Sequence, residues 1–229
     1  MPVLGVDTAT SRGSLALEEA GRIVAGRILE GRGRHAQDLL AGIDLLLRER
    51  HLTPASLTGI GVAVGPGSFT GVRIGMATCK GLAYALNVGL RGLSTLEALA
   101  RAVLEVAGEN AGEVCPVLQA GRGELYAARF RRTAAGAIRQ GPDRSWRPAD
   151  LAAQLGPGCW VAGDGTPDLL EAAGPLADRL HTLEPWPALA PAIALWAGGV
   201  IPAGEAYAPG TLGPNYVRPS DAETARRKP

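Results

Sequence analysis

Aromatic side chains are scarce in this chain of 229 residues, where they make up 4% of the sequence. Proteins that hold a single nucleic-acid strand commonly stack its bases on aromatic rings, so the scarcity disfavours such a platform. Excess charge is missing too, because 23 basic and 22 acidic residues leave a formal net charge of +1. A protein that binds nucleic acid unaided usually has a concentrated basic face. The composition therefore argues against direct nucleic-acid binding.

Cysteines are few, and their spacing contains no C-x-x-C pair: they are Cys79, Cys115 and Cys159. This pattern favours buried thiols in a reducing compartment over a disulfide framework. No apolar run approaches the ~18 uncharged residues that a membrane helix needs. The N-terminus has no basic region followed by a cleavage site, so we expect no signal peptide. These absences predict a cytoplasmic protein without a membrane association.

The most informative segment is a glycine loop, Gly65-Pro66-Gly67-Ser68-Phe69-Thr70-Gly71. It follows an apolar strand predicted over 60–64 and leads into a helix predicted over 72–86. Its glycines and proline predict a tight turn, and Ser68 or Thr70 is suited to cap the helix. The spacing fits neither a Walker A loop nor a dinucleotide fingerprint. The loop indicates an α/β fold, and it leaves open whether the glycines bind an anion or serve only the turn.

Hydrophobic patterns predict three strands, a helix, a strand and a second helix in the first half of the chain. A linker is predicted over 108–112. After it, Val117-Leu118 and Arg122-Gly123-Glu124-Leu125 echo Val3-Leu4 and Arg12-Gly13-Ser14-Leu15. The echo fits a duplicated βββαβα unit, and two unrelated hairpins fit it equally well. We expect an N-terminal lobe over 1–108, a C-terminal lobe over 113–219 and a disordered tail over 220–229.

The glycine loop resembles the signature of the TsaB (YeaZ) family, whose hallmark is GPGSFTG before a glycine-containing helix. Other segments resemble family motifs in the same order: Leu4-Gly5-Val6-Asp7-Thr8-Ala9-Thr10, Arg34-His35-Ala36-Gln37, Leu93-Ser94-Thr95-Leu96-Glu97-Ala98-Leu99, Arg122-Gly123-Glu124-Leu125-Tyr126 and Pro214-Asn215-Tyr216-Val217-Arg218. These matches span most of the chain. The resemblance implies the actin-like, sugar-kinase and Hsp70 ATPase (ASKHA) fold, with two lobes built from a duplicated unit.

The same resemblance implies a non-catalytic subunit of the bacterial complex that installs N6-threonylcarbamoyladenosine on tRNA. In that family the chain pairs with a TsaD-like catalytic subunit, joins a TsaE-like ATPase, and meets tRNA only through the complex. When isolated, family members form homodimers. The resemblance thus implies no catalytic residue, no metal, and no cofactor in the chain's own cleft. It leaves open that ATP or ADP binds at the boundary with the partner subunit.

Family members use their first two helices for this pairing. On the second helix Gly71, Gly75 and Cys79 form a small-residue stripe at spacings of four, which would let another helix approach closely. Apolar residues on the first helix could complete the predicted interface: Leu39, Ile43 and Leu46. The alternative is that both helices pack only on the protein's own sheet.

A vestigial nucleotide cleft is predicted at Asp7, Thr8 and Gln119. ATPases of this fold place an acidic residue and a glycine turn after the first strand of each lobe, but Ala9 replaces the glycine here. Gln119-Ala120-Gly121 supplies no carboxylate in the second lobe, although metal-phosphate binding needs charged oxygen ligands. Asp7 is explained equally well as a turn acceptor.

Two rival function classes stay open. An active ATPase or small-molecule kinase would bind nucleotide at Asp7. A peptidase would need Ser68 as its nucleophile, although no base partner flanks it in the sequence. His35 lacks the second histidine of the H-x-x-x-H pair found in TsaD proteins, because Leu39 occupies that position.

Overall fold

The computed structural model describes residues 1–29, 35–134, 136–208, 210 and 212–218, without the side chains of 35–37 and 110. The first half forms a five-stranded sheet with three helices. Its elements are β1 (Val3–Asp7), β2 (Ser14–Glu19), β3 (Arg22–Ile28), α1 (His35–Arg48), β4 (Gly59–Ala63), α2 (Phe69–Leu86), β5 (Gly89–Leu93) and α3 (Thr95–Ala107). The strand order is β3-β2-β1-β4-β5, antiparallel from β3 to β1 and parallel from β1 to β5.

Side-chain caps explain where α2 and α3 begin. The Ser68 hydroxyl oxygen accepts a hydrogen bond from the Gly71 amide at 3.1 Å, and the Ser94 hydroxyl accepts one from Glu97 at 3.4 Å. Each bond satisfies one of the amides that a helix N-terminus leaves without a partner. Asn87 then ends α2 in the left-handed conformation, with φ +52°. The sequence placed the start of α2 at residue 72, three residues after its observed start at Phe69.

The second half contains a second sheet. Its elements are β6 (Glu113–Gly121), β7 (Glu124–Ala127), β8 (Phe130–Thr133), β9 (Gly136–Arg139), β10 (Arg144–Trp146), α4 (Pro148–Ala152), β11 (Trp160–Ala162), α5 (Thr166–Ala173), β12 (His181–Thr182) and α6 (Ala190–Val200). The order is β10-β7-β6-β11-β12, with β8 on β6 and β9 on β8.

The two sheets repeat one arrangement. In each, a central strand pairs antiparallel with the next strand of the chain and parallel with a strand that follows a connecting segment. Strands β1 and β6 occupy equivalent central places, so the echoed sequences belong to equivalent hairpins. The predicted ASKHA fold with a duplicated unit is confirmed. The predicted lobe boundaries stay a prediction.

Helix α6 packs against the first sheet although it follows the second sheet in the chain. A Cβ atom added at Gly61 would lie 2.7 Å from the Ala197 Cβ atom, and one added at Gly5 would lie 2.8 Å from the Ala194 Cβ atom. Val62, the neighbour of Gly61, contacts the α2 side instead, since successive residues of a strand point to opposite faces. The first sheet is therefore enclosed between α1 and α2 on one face and α6 on the other.

Candidate functional site

A cleft separates the carboxyl ends of the two central strands, β1 and β6, and the glycine loop lies within it. One cavity of about 570 Å³ is bounded by the turn after β1, the glycine loop, Gln119 and Asp164. A second cavity of about 420 Å³ shares part of the loop and Gln119, and it extends to the terminal segment 215–218. The loop and Gln119 therefore form the wall common to both cavities.

Asp7 is fully buried at the end of β1 and lines neither cavity. Its Oδ1 atom accepts a hydrogen bond from the Ala9 amide at 2.8 Å, and its Oδ2 atom accepts one from the Thr10 hydroxyl at 2.6 Å. Burial raises the pKa of Asp7 to about 6, although these hydrogen bonds act in the opposite direction. This geometry favours the turn-acceptor interpretation of Asp7.

The glycine loop closes directly over the turn that follows β1. The Ser68 amide donates to the Ala9 carbonyl oxygen at 2.8 Å, and the Thr8 hydroxyl donates to the Gly71 carbonyl oxygen at 2.7 Å. A Cβ atom at Gly67 would overlap the Ala9 carbonyl oxygen, and one at Gly71 would overlap that of Thr8. These contacts give Gly67 and Gly71 a packing role, because they let the loop lie directly on the turn.

The predicted partner interface is wrong for the residues named. Leu39, Leu46 and Cys79 have no exposed surface, Ile43 is 3% exposed, and Gly71 and Gly75 are buried. A Cβ atom at Gly75 would overlap the Thr8 hydroxyl oxygen, so the stripe faces the protein's own sheet. Spacing alone could not show this, because Ala77, Gly81 and Ala85 repeat the same interval on the outer face of α2, where all three are exposed.

Gln119 is held by two carboxylates that the sequence analysis missed. Its amide donates to Asp164 Oδ1 and its side-chain Nε2 atom donates to Asp168 Oδ2, both at 2.9 Å. The segment 119–121 contains no carboxylate of its own, but the fold brings two to Gln119 from a later part of the chain. The sequence signal that could have found them is the glycine turn Gly163-Asp164-Gly165, which joins strand β11 to helix α5. The glycine loop joins β4 to α2 in the same way.

The terminal segment ties the two lobes together at Asp143. The Asp143 Oδ2 atom accepts hydrogen bonds from the Ser94 hydroxyl at 2.7 Å and the Asn215 side-chain amide at 2.6 Å, while Oδ1 pairs with Arg139. The Asn215 backbone amide also donates to the Val64 carbonyl oxygen at 2.8 Å. The P-N-Y-V-R motif thus forms part of the cleft wall, and Asp143 had no recognisable sequence signal.

The structure also bears on the metal and peptidase hypotheses. Within the described residues, no cluster of three His, Cys, Asp or Glu side chains could hold a metal ion. Burial raises the pKa of the Cys79 and Cys159 thiols to about 12. Ser68 is engaged as a helix cap, and no described histidine lines either cavity. The His35 side chain and the tail over 220–229 lie outside the described part. No described helix is long and apolar enough to cross a membrane.

Comparison with known proteins gives three kinds of match. The family model described as "TsaD: tRNA N6-adenosine threonylcarbamoyltransferase" matches residues 30–152, more than half of the chain. A tRNA threonylcarbamoyladenosine biosynthesis protein TsaB from Bacillus subtilis is 32% identical over 132 residues, which cover 57% of this chain and 56% of that protein. The match therefore spans just over half the length of this relative.

Two further matches extend over nearly the whole chain. An uncharacterized protein of Mycobacterium tuberculosis is 30% identical over 223 residues, covering 96% of this chain and 93% of the relative. The solved structure of a protein with similarity to peptidase YEAZ from Pseudomonas aeruginosa superimposes with a TM-score of 0.77 at 26% identity, covering 95% and 99% of the two chains. With the motifs and the cleft geometry, these matches show that the chain belongs to the TsaB (YeaZ) family.

Proposed function

We propose that this chain is a non-catalytic subunit of a complex that forms N6-threonylcarbamoyladenosine on tRNA, where it pairs with a TsaD-like catalytic subunit and recruits a TsaE-like ATPase. The observation that supports the non-catalytic role most directly is the closed turn after β1. Asp7 is buried, both of its oxygens are engaged by its own turn, and it lines neither cavity of the cleft. The printed name of the Bacillus subtilis relative supports the pathway.

Electrostatics in the second lobe agree with this role. Metal-phosphate binding needs carboxylate oxygens that are free to face the ligand. Asp168 instead accepts a hydrogen bond from the Gln119 side chain, and Asp164, on a wall of the larger cavity, has its Oδ1 atom engaged by the Gln119 amide. Nucleotide binding at the partner boundary stays compatible with the proposal, because it would not depend on these groups alone.

The outer face of α1 and α2 supplies the surface for the partner. Three large side chains are exposed there: Leu40 at 55%, Leu45 at 49% and Tyr84 at 75%. Helix α2 also carries the exposed stripe of Ala77, Gly81 and Ala85, and a Cβ atom at Gly81 would have nothing within 4 Å. Small residues let a partner helix approach to about 8–10 Å between axes. The same face would serve a homodimer of the isolated chain.

The test is a reconstituted tRNA threonylcarbamoylation reaction with the TsaD-like and TsaE-like proteins and a Gly81→Arg variant. Arginine on the exposed side of α2 should not lower the melting temperature, because arginine favours a helix more than glycine does. Burying its charge in the interface without a partner costs several kcal/mol, enough to abolish a micromolar complex. We therefore expect loss of both co-purification and transfer activity.

The matched control is Gly199→Arg, because Gly199 is also an exposed helical glycine with nothing within 4 Å of its Cβ position. It should keep full activity. Normal transfer with Gly81→Arg would show that the partner binds elsewhere. Tight Mg-ATP binding by the isolated chain that disappears in Asp7→Ala would instead favour the rival ATPase or kinase.

A further inference from the structure

The smaller cavity of the cleft gathers aromatic and basic side chains that are distant in the sequence. Phe69, Tyr126 and Tyr216 line it, and they are three of the ten aromatic residues of the chain, which has two Phe, four Trp and four Tyr. Arg122 and Arg218 line it as well. None of the described residues that line this cavity is acidic. We refer to it as the aromatic–arginine cavity.

The aromatic rings are held in place before any ligand binds. The rings of Phe69 and Tyr216 are stacked, with centroids 5.2 Å apart and an angle of 26° between their planes. The Arg73 guanidinium lies 3.8 Å from the Phe69 centroid, and its Nε atom donates to the Tyr216 hydroxyl at 2.8 Å. Tyr216 nevertheless keeps 39% of its surface exposed. A base could therefore stack on this pair without a large loss of side-chain freedom.

Three arginines lie close to the same rings. Arg218 pairs with Glu124 at 3.2 Å, and this carboxylate also accepts a hydrogen bond from Ser145. Arg73 lies at the rim beside Phe69, and Arg122 lies on the wall. The N-terminus of the 18-residue helix α2 also opens at this wall, where the Phe69 and Thr70 amides have no hydrogen-bond partner within the described chain. Helix N-termini and arginines both attract phosphate groups.

We propose that the aromatic–arginine cavity binds an unstacked nucleotide of single-stranded RNA. The base stacks on Tyr216 and Phe69, and the adjoining phosphates face Arg122, Arg218 and the start of α2. The choice of RNA rests on the proposed function, in which the substrate is a tRNA. A free nucleotide offers the same base and phosphate chemistry, and the experiment below separates the two sources.

The composition of the whole chain, with few aromatic residues and a net charge near zero, does not exclude such a site. A low aromatic content across the whole chain does not prevent a stacking site when three rings converge on one cavity. A net charge near zero likewise permits a local basic site, because association with nucleic acid depends on the local field. The chain would then contact tRNA directly, in addition to holding the complex together.

The test measures fluorescence anisotropy of a labelled RNA hairpin with a single-stranded loop, titrated with the purified full chain alone. We expect saturable binding that is weaker for a fully paired duplex of the same stem. Tyr216→Ala should weaken binding about 10-fold, since stacking on one aromatic ring commonly has an effect of that size. Tyr216→Phe keeps the ring and should stay within about 2-fold of wild type.

The charge contribution is tested with Arg122→Asn. Arg122 has φ +57°, and asparagine tolerates this left-handed conformation, so the hairpin turn should be kept. The variant should weaken binding and reduce the slope of log K against log salt by about 0.7, as expected for one lost contact to a single-strand phosphate. Arg179→Gln is the control, because Arg179 is an exposed arginine outside the cavity.

Three outcomes would overturn the proposal: no saturable RNA binding at low salt, wild-type affinity in both Tyr216→Ala and Arg122→Asn, or displacement of the RNA by micromolar AMP or ATP. The last would identify a free-nucleotide site. Melting temperatures of all variants should match wild type. The assay contains no TsaD-like protein, so RNA binding by a Gly81→Arg variant that has lost transfer would separate this inference from the proposed pairing.

Discussion

At the scale of single residues, Asp7 shows how a carboxylate of the nucleotide cleft can become a structural group. Its position after β1 matches that of the acidic residue in ATPases of the fold. Its two oxygens, however, accept hydrogen bonds from Ala9 and Thr10 inside the protein. Burial disfavours the charged form, which raises the pKa to about 6. Near neutral pH the folded protein therefore holds a carboxylate whose ionised form is destabilised.

This shift predicts a pH-dependent difference between wild type and Asp7→Asn. Because the folded state keeps the Asp7 proton to higher pH than the unfolded chain does, the associated stability is present below about pH 4 and is lost as the pH rises through about 6. Asparagine keeps the acceptor for Ala9 and does not titrate. When the pH rises from about 4 to about 7, the free energy of unfolding of wild type should therefore fall by about 2–3 kcal/mol relative to that of Asp7→Asn.

Urea unfolding of both proteins across this pH range measures the difference directly, and the other titrating groups cancel because both proteins contain them. A difference that does not change with pH would show that Asp7 binds its proton equally in the folded and unfolded states, and hence that its pKa is not raised by folding. A difference that moves in favour of wild type would contradict a raised pKa for Asp7.

At the scale of elements, helix α2 has an inner and an outer small-residue face, and only their surroundings distinguish them. Gly71 and Gly75 lie against Thr8, whereas Gly81 faces open space. We expect Gly71→Ala to lower the free energy of unfolding by about 2–4 kcal/mol, because the new methyl group overlaps a backbone carbonyl and the core has little room to adjust. Gly81→Ala should instead raise it by about 0.5–1 kcal/mol through helix propensity.

Chemical denaturation of the two variants provides the measurement, and each serves as the control for the other because both replace a helical glycine by alanine. Equal effects would mean that α2 presents the same environment on both faces. A stabilised Gly71→Ala would show that the helix lies farther from the β1 turn than the structure places it.

Local sequence signals predicted most of the elements but not their environment. The strand, glycine loop and helix from 60 to 86 were found because turn residues and caps act on neighbouring atoms. The burial of Leu39, Ile43 and Gly75 was not, because it depends on which helix face meets the sheet. Asp143 and Asp168 were missed for a similar reason: their partners Ser94, Asn215 and Gln119 lie at least 49 residues away in the chain.

At the scale of the whole molecule, the two lobes share the largest apolar core, and the second half has a smaller core of its own. The shared core includes Leu4 and Leu96 from the first half and Val114, Phe130 and Ala162 from the second. Asp143 and the terminal segment add polar links across the same boundary. Since the largest core needs both halves, we expect the chain to unfold as one cooperative unit.

Calorimetry should therefore show a single transition whose calorimetric and van't Hoff enthalpies agree. Tryptophan fluorescence and far-UV circular dichroism should give the same midpoint, because Trp160 lies in the second sheet whereas Trp186 contacts Arg12 of the first half. Two resolved transitions, or midpoints that differ between the two probes, would contradict a shared core.

The placement of α6 has a consequence for how the protein is made. Ribosomes deliver the chain from its N-terminus, so β1 and β4 emerge long before residues 190–200 can cover Gly5 and Gly61. Throughout that interval one face of the first sheet is bare, and exposed strands of this kind invite aggregation. The first sheet therefore cannot complete its packing during synthesis until α6 has left the ribosome.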